Sequence, residues 1–221
     1  MTRSTADTYD KYWAAADPDV YDPRSRQRAD VALGLLGTRR GRLLDVGCGR
    51  GVVAAAFRSA GFDVTGIDVS PTAVEKTMSR GVDASVVDIT RDSLPSGFDV
   101  VVCFEVLEHL LDPLSALRKL ASSTKDDGVL VVSLPNEFHL WCRLNVLFGR
   151  PHFAAHDFPH VRLFDRRAIA RLFSDAGLRV LDERPIPVWP PRWSLQGLGR
   201  TLSLAAPGLF SISIVSLLSR R

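Results

Sequence analysis

Three aspartates, a run of alternating glycines and a scatter of histidines are the residues of this 221-residue chain whose types and spacing suit chemistry. In "LLDVGCGRGV", residues 43–52, an apolar run reaches Asp45, and Gly47, Gly49 and Gly51 follow at every second position. A glycine-rich turn after a buried strand lets the backbone come close to the phosphates or ribose of a nucleotide-like ligand. The dinucleotide fingerprint would need its third glycine at 52, where Val52 stands. The G-K-[ST] ending of a nucleotide-triphosphate loop is also missing.

Asp45 narrows the choice further. A carboxylate two residues before the first glycine would repel a pyrophosphate, yet it suits a ligand carrying an ammonium group. S-adenosylmethionine has an ammonium, a carboxylate and a sulfonium, and no phosphate. The glycines, with Cys48 between them, would admit its amino-acid and ribose parts, and the following helix would offer amides to its carboxylate. Asp68 ends a second strand in "VTGIDVS", with Val69 beside it, where a carboxylate can accept both ribose hydroxyls. Asp88 follows a third strand in "VVDIT", placed for the adenine amino group, with the amide of Ile89 available to the ring. Phe104 and Glu105 close a fourth strand. Glu105 would face the methionine end of the cofactor; Phe104 is a candidate adenine contact that also reads as core.

Methyl transfer from a sulfonium is an in-line displacement at an activated carbon, so the protein mainly positions and desolvates two reactants. A hydroxyl acceptor of high pKa also needs a general base, and a neutral amine does not. His109, in "EVLEHL" just past the fourth strand, is a candidate for that base; it also reads as a side chain that orders its loop. Glu108 beside it reads as a helix N-terminal charge. His152, His156 and His160 are spaced four apart near Asp157, a weak metal signature in a loop, and no metal is expected.

These residues need elements to hold them. After a polar lead, 24–36 reads as an amphipathic helix ending at Gly37. Apolar strands at 43–46, 64–67, 84–87 and 98–105 alternate with helices, one of them capped by Ser70 with Pro71 at its first position. Asp112 and Pro113 open another helix, 126–128 reads as a turn, and "VLVVSL" is a fifth strand. Such alternation indicates an α/β fold with a parallel sheet covered on both faces. Ligands of such folds lie at the carboxyl ends of the strands. Further on, 137–148 can form a helix of large apolar residues, Asp165 caps a helix that Gly177 ends, "LRVLDE" is a sixth strand and "LFSISIVSLL" a last one.

From about residue 40 to 183 the chain resembles the class I S-adenosylmethionine-dependent methyltransferases, in "LLDVGCGRG", "GIDVS", "FDVVVCFEVLEHLLDP", "DGVLVVSLPN" and "AGLRV". The fourth-strand stretch resembles the branch of ubiquinone-type O-methyltransferases and small-molecule methyltransferases. The stretch from "SLPNEFHLWCRLNVLFGRP" to "HVRLF" is also similar to the methyltransferase-like proteins of methionine biosynthesis. The resemblance implies a Rossmann-like seven-stranded sheet, mostly parallel, with an antiparallel last strand. It implies an active-site role for His160, which matches a histidine of the ubiquinone-type enzymes. It also implies that Tyr12, with Tyr9 and Trp13, forms part of an N-terminal helical lid spanning 1–37.

Composition adds bounds. A net charge of +3, evenly spread over most of the chain, gives no footprint for nucleic acid. Cys48, Cys103 and Cys142 form neither a zinc box nor a disulfide framework, which points to a reducing, cytoplasmic setting. The start "MTRSTADTYDKYW" lacks a signal-peptide core, and no stretch has the length of a membrane span. Residues 184–221 carry five arginines and no acid. Within them Trp193, Leu195, Leu198, Leu202 and Ala206 fall on one helical face, in a hydrophobic, basic insertion at 184–209. That face suits an anionic membrane surface, the roof of a greasy pocket, or the body of the protein. The reading is a single-domain methyltransferase acting on a small, lipophilic or lipid-linked acceptor, with O-methylation ahead of N-methylation. A cofactor-binding regulator of another enzyme, with no turnover of its own, is the rival from a different class.

Overall fold

The computed structural model describes residues 5–15, 23–150, 160–188 and 196–221. Seven strands are formed: β1 (Arg42–Val46), β2 (Asp63–Asp68), β3 (Asp83–Val86), β4 (Phe98–Phe104), β5 (Thr124–Pro135), β6 (Leu178–Pro187) and β7 (Ser211–Arg220). They make one sheet in the order β3-β2-β1-β4-β5-β7-β6. Pairs from β3 to β5 are parallel, and β7 is antiparallel to both β5 and β6. The expected Rossmann-like sheet with an antiparallel last strand is the sheet observed.

The period-two pleat sorts the apolar runs onto two faces. Leu43, Val100, Val102, Val129 and Val131 pack with Ala29 and Ala32 of α2 (Pro23–Leu36) and Phe57 of α3 (Val52–Ser59). Leu44, Val46, Val101, Cys103, Leu130 and Val132 pack on the other face with Leu117 and Leu120 of α5 (Pro113–Ser123) and Phe173 of α7 (Arg166–Asp175). Burial on both faces is why these strands read as continuous apolar runs. Helix α1 (Thr5–Ala15) precedes α2, and α4 (Pro71–Met78) lies against β2 and β3. Side-chain caps start the later helices: Ser70 Oγ accepts from Ala73 N at 3.1 Å, Asp112 from Ser115 N and Asp165 from Ala168 N. Each such cap contributes about 1 kcal/mol.

Several boundaries differ from the sequence reading. The turn expected at 126–128 is a bulge inside β5: Phe98 pairs with Thr124, but Val100 pairs with Val129, so extra residues are absorbed on one side. The helix expected from 137 starts at Leu140, as α6 (Leu140–Leu147). Before it, Asn136 gives its amide to the carbonyls of Pro207, Gly208 and Ser211 and accepts from Phe138 N, which holds the chain out of the helix. Arg184–Pro187 extend β6 because β7 continues beside them, so the basic insertion begins later than 184. It forms α8 (Gln196–Ala205), followed by the single turn α9 (Pro207–Phe210), which takes Leu209 and Phe210 out of the last strand. Helix α8 buries Gly199 and Ser203 and leaves Leu198 exposed; Trp193 and Leu195 lie outside the described residues. Among the described residues no helix is long and apolar enough to cross a membrane.

The chain runs outward from β1 to β3, then returns to place β4 on the other side of β1. That reversal leaves a crevice past the carboxyl ends of β1 and β4, where the crossover helices leave in opposite directions.

Candidate active site

A cavity of about 340 Å3 occupies this crevice. Its floor is the loop from β1 into α3. Gly47, Gly49 and Gly51 all take positive φ. Gly51 caps α3 at φ 72, and a Cβ there would stand 2.9 Å from the Cα of Thr77, so neither conformation nor space admits a side chain. A Cβ on Gly49 would stand 2.7 Å from the Trp13 ring. Gly47 and Gly49 line the cavity, whereas Gly51 lies behind it against α4. Cys48 lines the cavity too, but its sulfur is buried and takes the Thr77 hydroxyl at 3.3 Å; burial pushes its thiol well up. It packs, and a reactive thiolate is not what this environment produces.

Asp45 lies almost wholly buried in the cavity wall. Its carboxyl accepts from the Ala54 amide, while Oδ2 has no hydrogen-bond partner among the described residues. Burial first, and the charge of Asp68 second, push its pKa up to about 7. A buried carboxylate with an orphaned oxygen invites a cation or a proton. Asp68 is satisfied instead: Oδ2 accepts from Gly49 N at 3.0 Å and Oδ1 from Ser70 N at 2.9 Å, which ties the glycine loop to α4. Each of its oxygens keeps a second lone pair for a ligand hydroxyl. Asp88 is fixed by Thr90, whose amide and hydroxyl both donate to Oδ1. Val69, Asp88, Ile89, Phe104 and Glu105 complete the wall that the sequence marked out.

Helix α1 roofs this floor. Asp10 accepts from Ser70 Oγ at 2.7 Å and Thr72 N at 2.9 Å, which caps α4 from outside and holds its carboxyl below the usual carboxylate range. Lys76 Nζ donates to the Trp13 carbonyl. Tyr9, Tyr12 and Trp13 therefore line the cavity from the side of α1. Helix α2 adds Ser25 and Arg28, which no motif in the sequence announces. Arg28 Nη2 donates to Glu105 Oε2 at 2.8 Å, and Ser133 Oγ donates to Oε1 at 2.7 Å. Glu105 carries the one positive φ (55°) of a non-glycine residue among those described, a strained backbone held by these bonds.

The two histidines do not stand alike. His109 lines the cavity, from the 3-10 turn Leu107–His109, with its ring edge-on to Tyr9 at 5.9 Å. His160 is not part of that lining; it packs against His109 with ring centroids 4.9 Å apart, and its Nδ1 lies 2.5 Å from Glu137 Oε1. Glu108 is fully buried, and neither carboxyl oxygen has a hydrogen-bond partner among the described residues. Burial, then the nearby Glu105, push its carboxyl well above the ordinary value. The expected helix N-terminal charge is thus a core group. Ligand atoms of Glu108, His109 and His160 lie within 4.8 Å of one another, a grouping the sequence spacing does not reveal. His152, His156 and Asp157 lie outside the described residues.

The family of the Methyltransferase domain matches residues 21–183, across the floor of this cavity. The chain is a class I S-adenosylmethionine-dependent methyltransferase. The methyltransferase is 31% identical over 173 residues to a ubiquinone biosynthesis O-methyltransferase of Neisseria meningitidis serogroup C, covering 71% of each chain. It is 40% identical over 103 residues to the protein of that description from Xanthomonas campestris pv. campestris, a match that spans only 43% of that relative's length. Among solved structures, a chain of the complex between the Haloferax volcanii Trm112 methyltransferase activator and a putative methyltransferase overlays with a TM-score of 0.74, at 17% identity and 99% coverage of both. Magnesium protoporphyrin IX methyltransferase from Synechocystis PCC 6803 with bound SAH overlays with a TM-score of 0.66 at 16% identity, covering 100% of this chain and 90% of that one. At these identities the two structures speak for the fold.

Proposed function

We propose that the methyltransferase uses S-adenosylmethionine to O-methylate a small, apolar or lipid-linked acceptor, with His109 as the group that takes the acceptor's hydroxyl proton. The observation that carries the cofactor assignment is Asp45, a buried carboxylate with an orphaned oxygen beside the glycine loop, which fits the cofactor's ammonium. Asp68 would accept the ribose hydroxyls, and Asp88 with the amide of Ile89 would take the adenine edge. Arg28, with its Nε orphaned and buried, suits the carboxylate of the methionine end, and Glu105 holds it in place. When bound, the cofactor supplies a methyl carbon already activated by its sulfonium.

The chain's own residues do the rest. Trp13 and Tyr12 close over the cavity and exclude water, which strengthens every polar contact beneath. His109 lines the cavity just past the end of β4, and its imidazole is the group assigned to accept the hydroxyl proton. An apolar acceptor is supported by Trp141, Leu147 and Phe148, which stay exposed along and just after α6. The similarity to ubiquinone biosynthesis O-methyltransferases points to the same chemistry.

The test joins calorimetry and turnover. S-adenosylhomocysteine is expected to bind with micromolar affinity, and methyl-labelled cofactor should mark a phenol or catechol bearing an apolar tail. Binding with no labelling of hydroxyl acceptors, but labelling of amines, would overturn the O-methyl assignment. Absence of binding would overturn the cofactor site.

A further inference from the structure

Behind His109 the structure assembles a second layer that the methyl-transfer reading does not by itself require. Glu137 follows β5 directly after Asn136, and its carboxylate is almost fully buried. Asn136 fixes the chain at this point by its three bonds to the 207–211 segment. His160 comes from a segment before α7, 23 positions further on, and its Nδ1 lies 2.5 Å from Glu137 Oε1. The side chains of both are largely buried, at 15% and 7% exposure. In turn the His160 ring stands edge-on to His109, at 4.9 Å and 71°.

The chain's stiffness on this side makes the arrangement specific. Arg162 donates from its amide to the Glu108 carbonyl at 3.0 Å and from its guanidinium to the Leu111 carbonyl, so the strand of chain after His160 is tied to the turn that carries His109. Glu137 Oε1 stands against Nδ1 without lying in line with a ring N–H, so it acts on that nitrogen through its charge, which favours the proton there and leaves Nε2 with its lone pair. Ligand atoms of the two rings lie within 4.8 Å of one another, a span one water can bridge, so the tautomer of His160 bears on which nitrogen of His109 stays protonated.

We infer that Glu137 is a positioning residue, which fixes the tautomer of His160 and, through it, the orientation of His109 at the cavity. The inference rests on the reading of His109 as the proton acceptor only for its catalytic meaning; the tautomer itself is independent of that reading. Among the described residues, Glu108 from the same turn, Tyr9 from α1 and Glu137 face the histidine pair. Burial pushes the Glu108 carboxyl well above its ordinary value, and among the described residues Glu137 is the carboxylate in ion-pair contact with His160.

The test uses the full chain labelled with 15N in its histidines, in alkaline buffer, where an imidazole is neutral. Long-range 15N–1H spectra separate the two tautomers, and His109→Gln and His160→Gln variants assign the signals. In the wild type His160 is expected as the Nδ1–H tautomer. Glu137→Gln should lose that bias and shift the His109 nitrogens, whereas Glu137→Asp should keep the tautomer. His160→Gln should shift the His109 nitrogens in the same way, with Glu137 intact. An Nε2–H tautomer of His160 in the wild type overturns the proposal whatever the variants do. So does an unmoved His109 signal in His160→Gln. Titration of the same sample with S-adenosylhomocysteine separates the two readings, because failure to bind would sink the methyltransferase site and leave the tautomer result standing.

Discussion

The two halves of this active site were built by different means. On the cofactor side, β1, β2 and β3 each deliver an acid at or just past their carboxyl ends, and parallel pairing sets Asp45 and Asp68 on neighbouring strands. The spacing along the chain maps directly onto spacing across the crevice. On the side proposed for the acceptor, His109, Glu137 and His160 come from a 3-10 turn, the segment just after β5 and the approach to α7. Nothing in their separation of 28 and then 23 positions implies contact. The first half is a repeat of one local unit; the second is a convergence of three unrelated ones.

That contrast is open to attack. The largest expected effect is on the acceptor side: His109→Gln should lower turnover on the order of 10²-fold or more, while S-adenosylhomocysteine affinity stays within a factor of about two. An affinity loss as large as the rate loss would show that the halves are not separable. Next comes Asp68→Ala, which removes the carboxylate joining Gly49 and Ser70. Two charge-assisted bonds to a functional loop make a loss of about 100-fold in cofactor-product affinity the expected calorimetric result. Retention of micromolar binding would relieve Asp68 of its assigned role.

The pH dependence of Asp45 sharpens the cofactor half. Its pKa of about 7 lies above the unfolded value, so the ligand-free native state holds a proton that the unfolded chain releases. This contribution to stability is present in acid, declines once the pH exceeds the unfolded value near 4 and is lost through about 7. Asp45→Asn should therefore stabilise the ligand-free protein in alkaline buffer by about 1–3 kcal/mol, measured by urea unfolding. A cofactor ammonium needs the carboxylate, so wild-type affinity should rise about tenfold from about pH 6 to about pH 8, and Asp45→Asn should flatten that profile. A flat wild-type profile would place the ammonium elsewhere. The smallest effect belongs to the lid: Trp13→Ala should weaken binding by about threefold to tenfold, the worth of one partly buried aromatic contact.

How legible each part was follows from the same contrast. The strands from β1 to β5 announce themselves because both faces are buried, which makes them apolar without interruption, and the caps Ser70, Asp112 and Asp165 mark their helices. Asp45, Asp68 and Asp88 were visible because each stands at the end of such a strand. Arg28 was not, since one arginine in an amphipathic helix looks like any solvated charge until the helix packs over the crevice. Glu108 read as a surface acid, and only folding shows that the turn carries it inward to full burial. The start of α6 was displaced because Asn136 is held by a loop some seventy residues away, a contact outside any local window.

The sequence by itself determined the order of strands and helices, the glycine loop and the acid at each strand end, because backbone conformation and solvent exposure are decided by near neighbours. Tertiary structure alone decided that His109 faces the cavity, that His160 stands behind it and that Glu137 touches His160. Side-chain direction at the ends of strands depends on which segments close over them, and here those segments come from opposite ends of the chain.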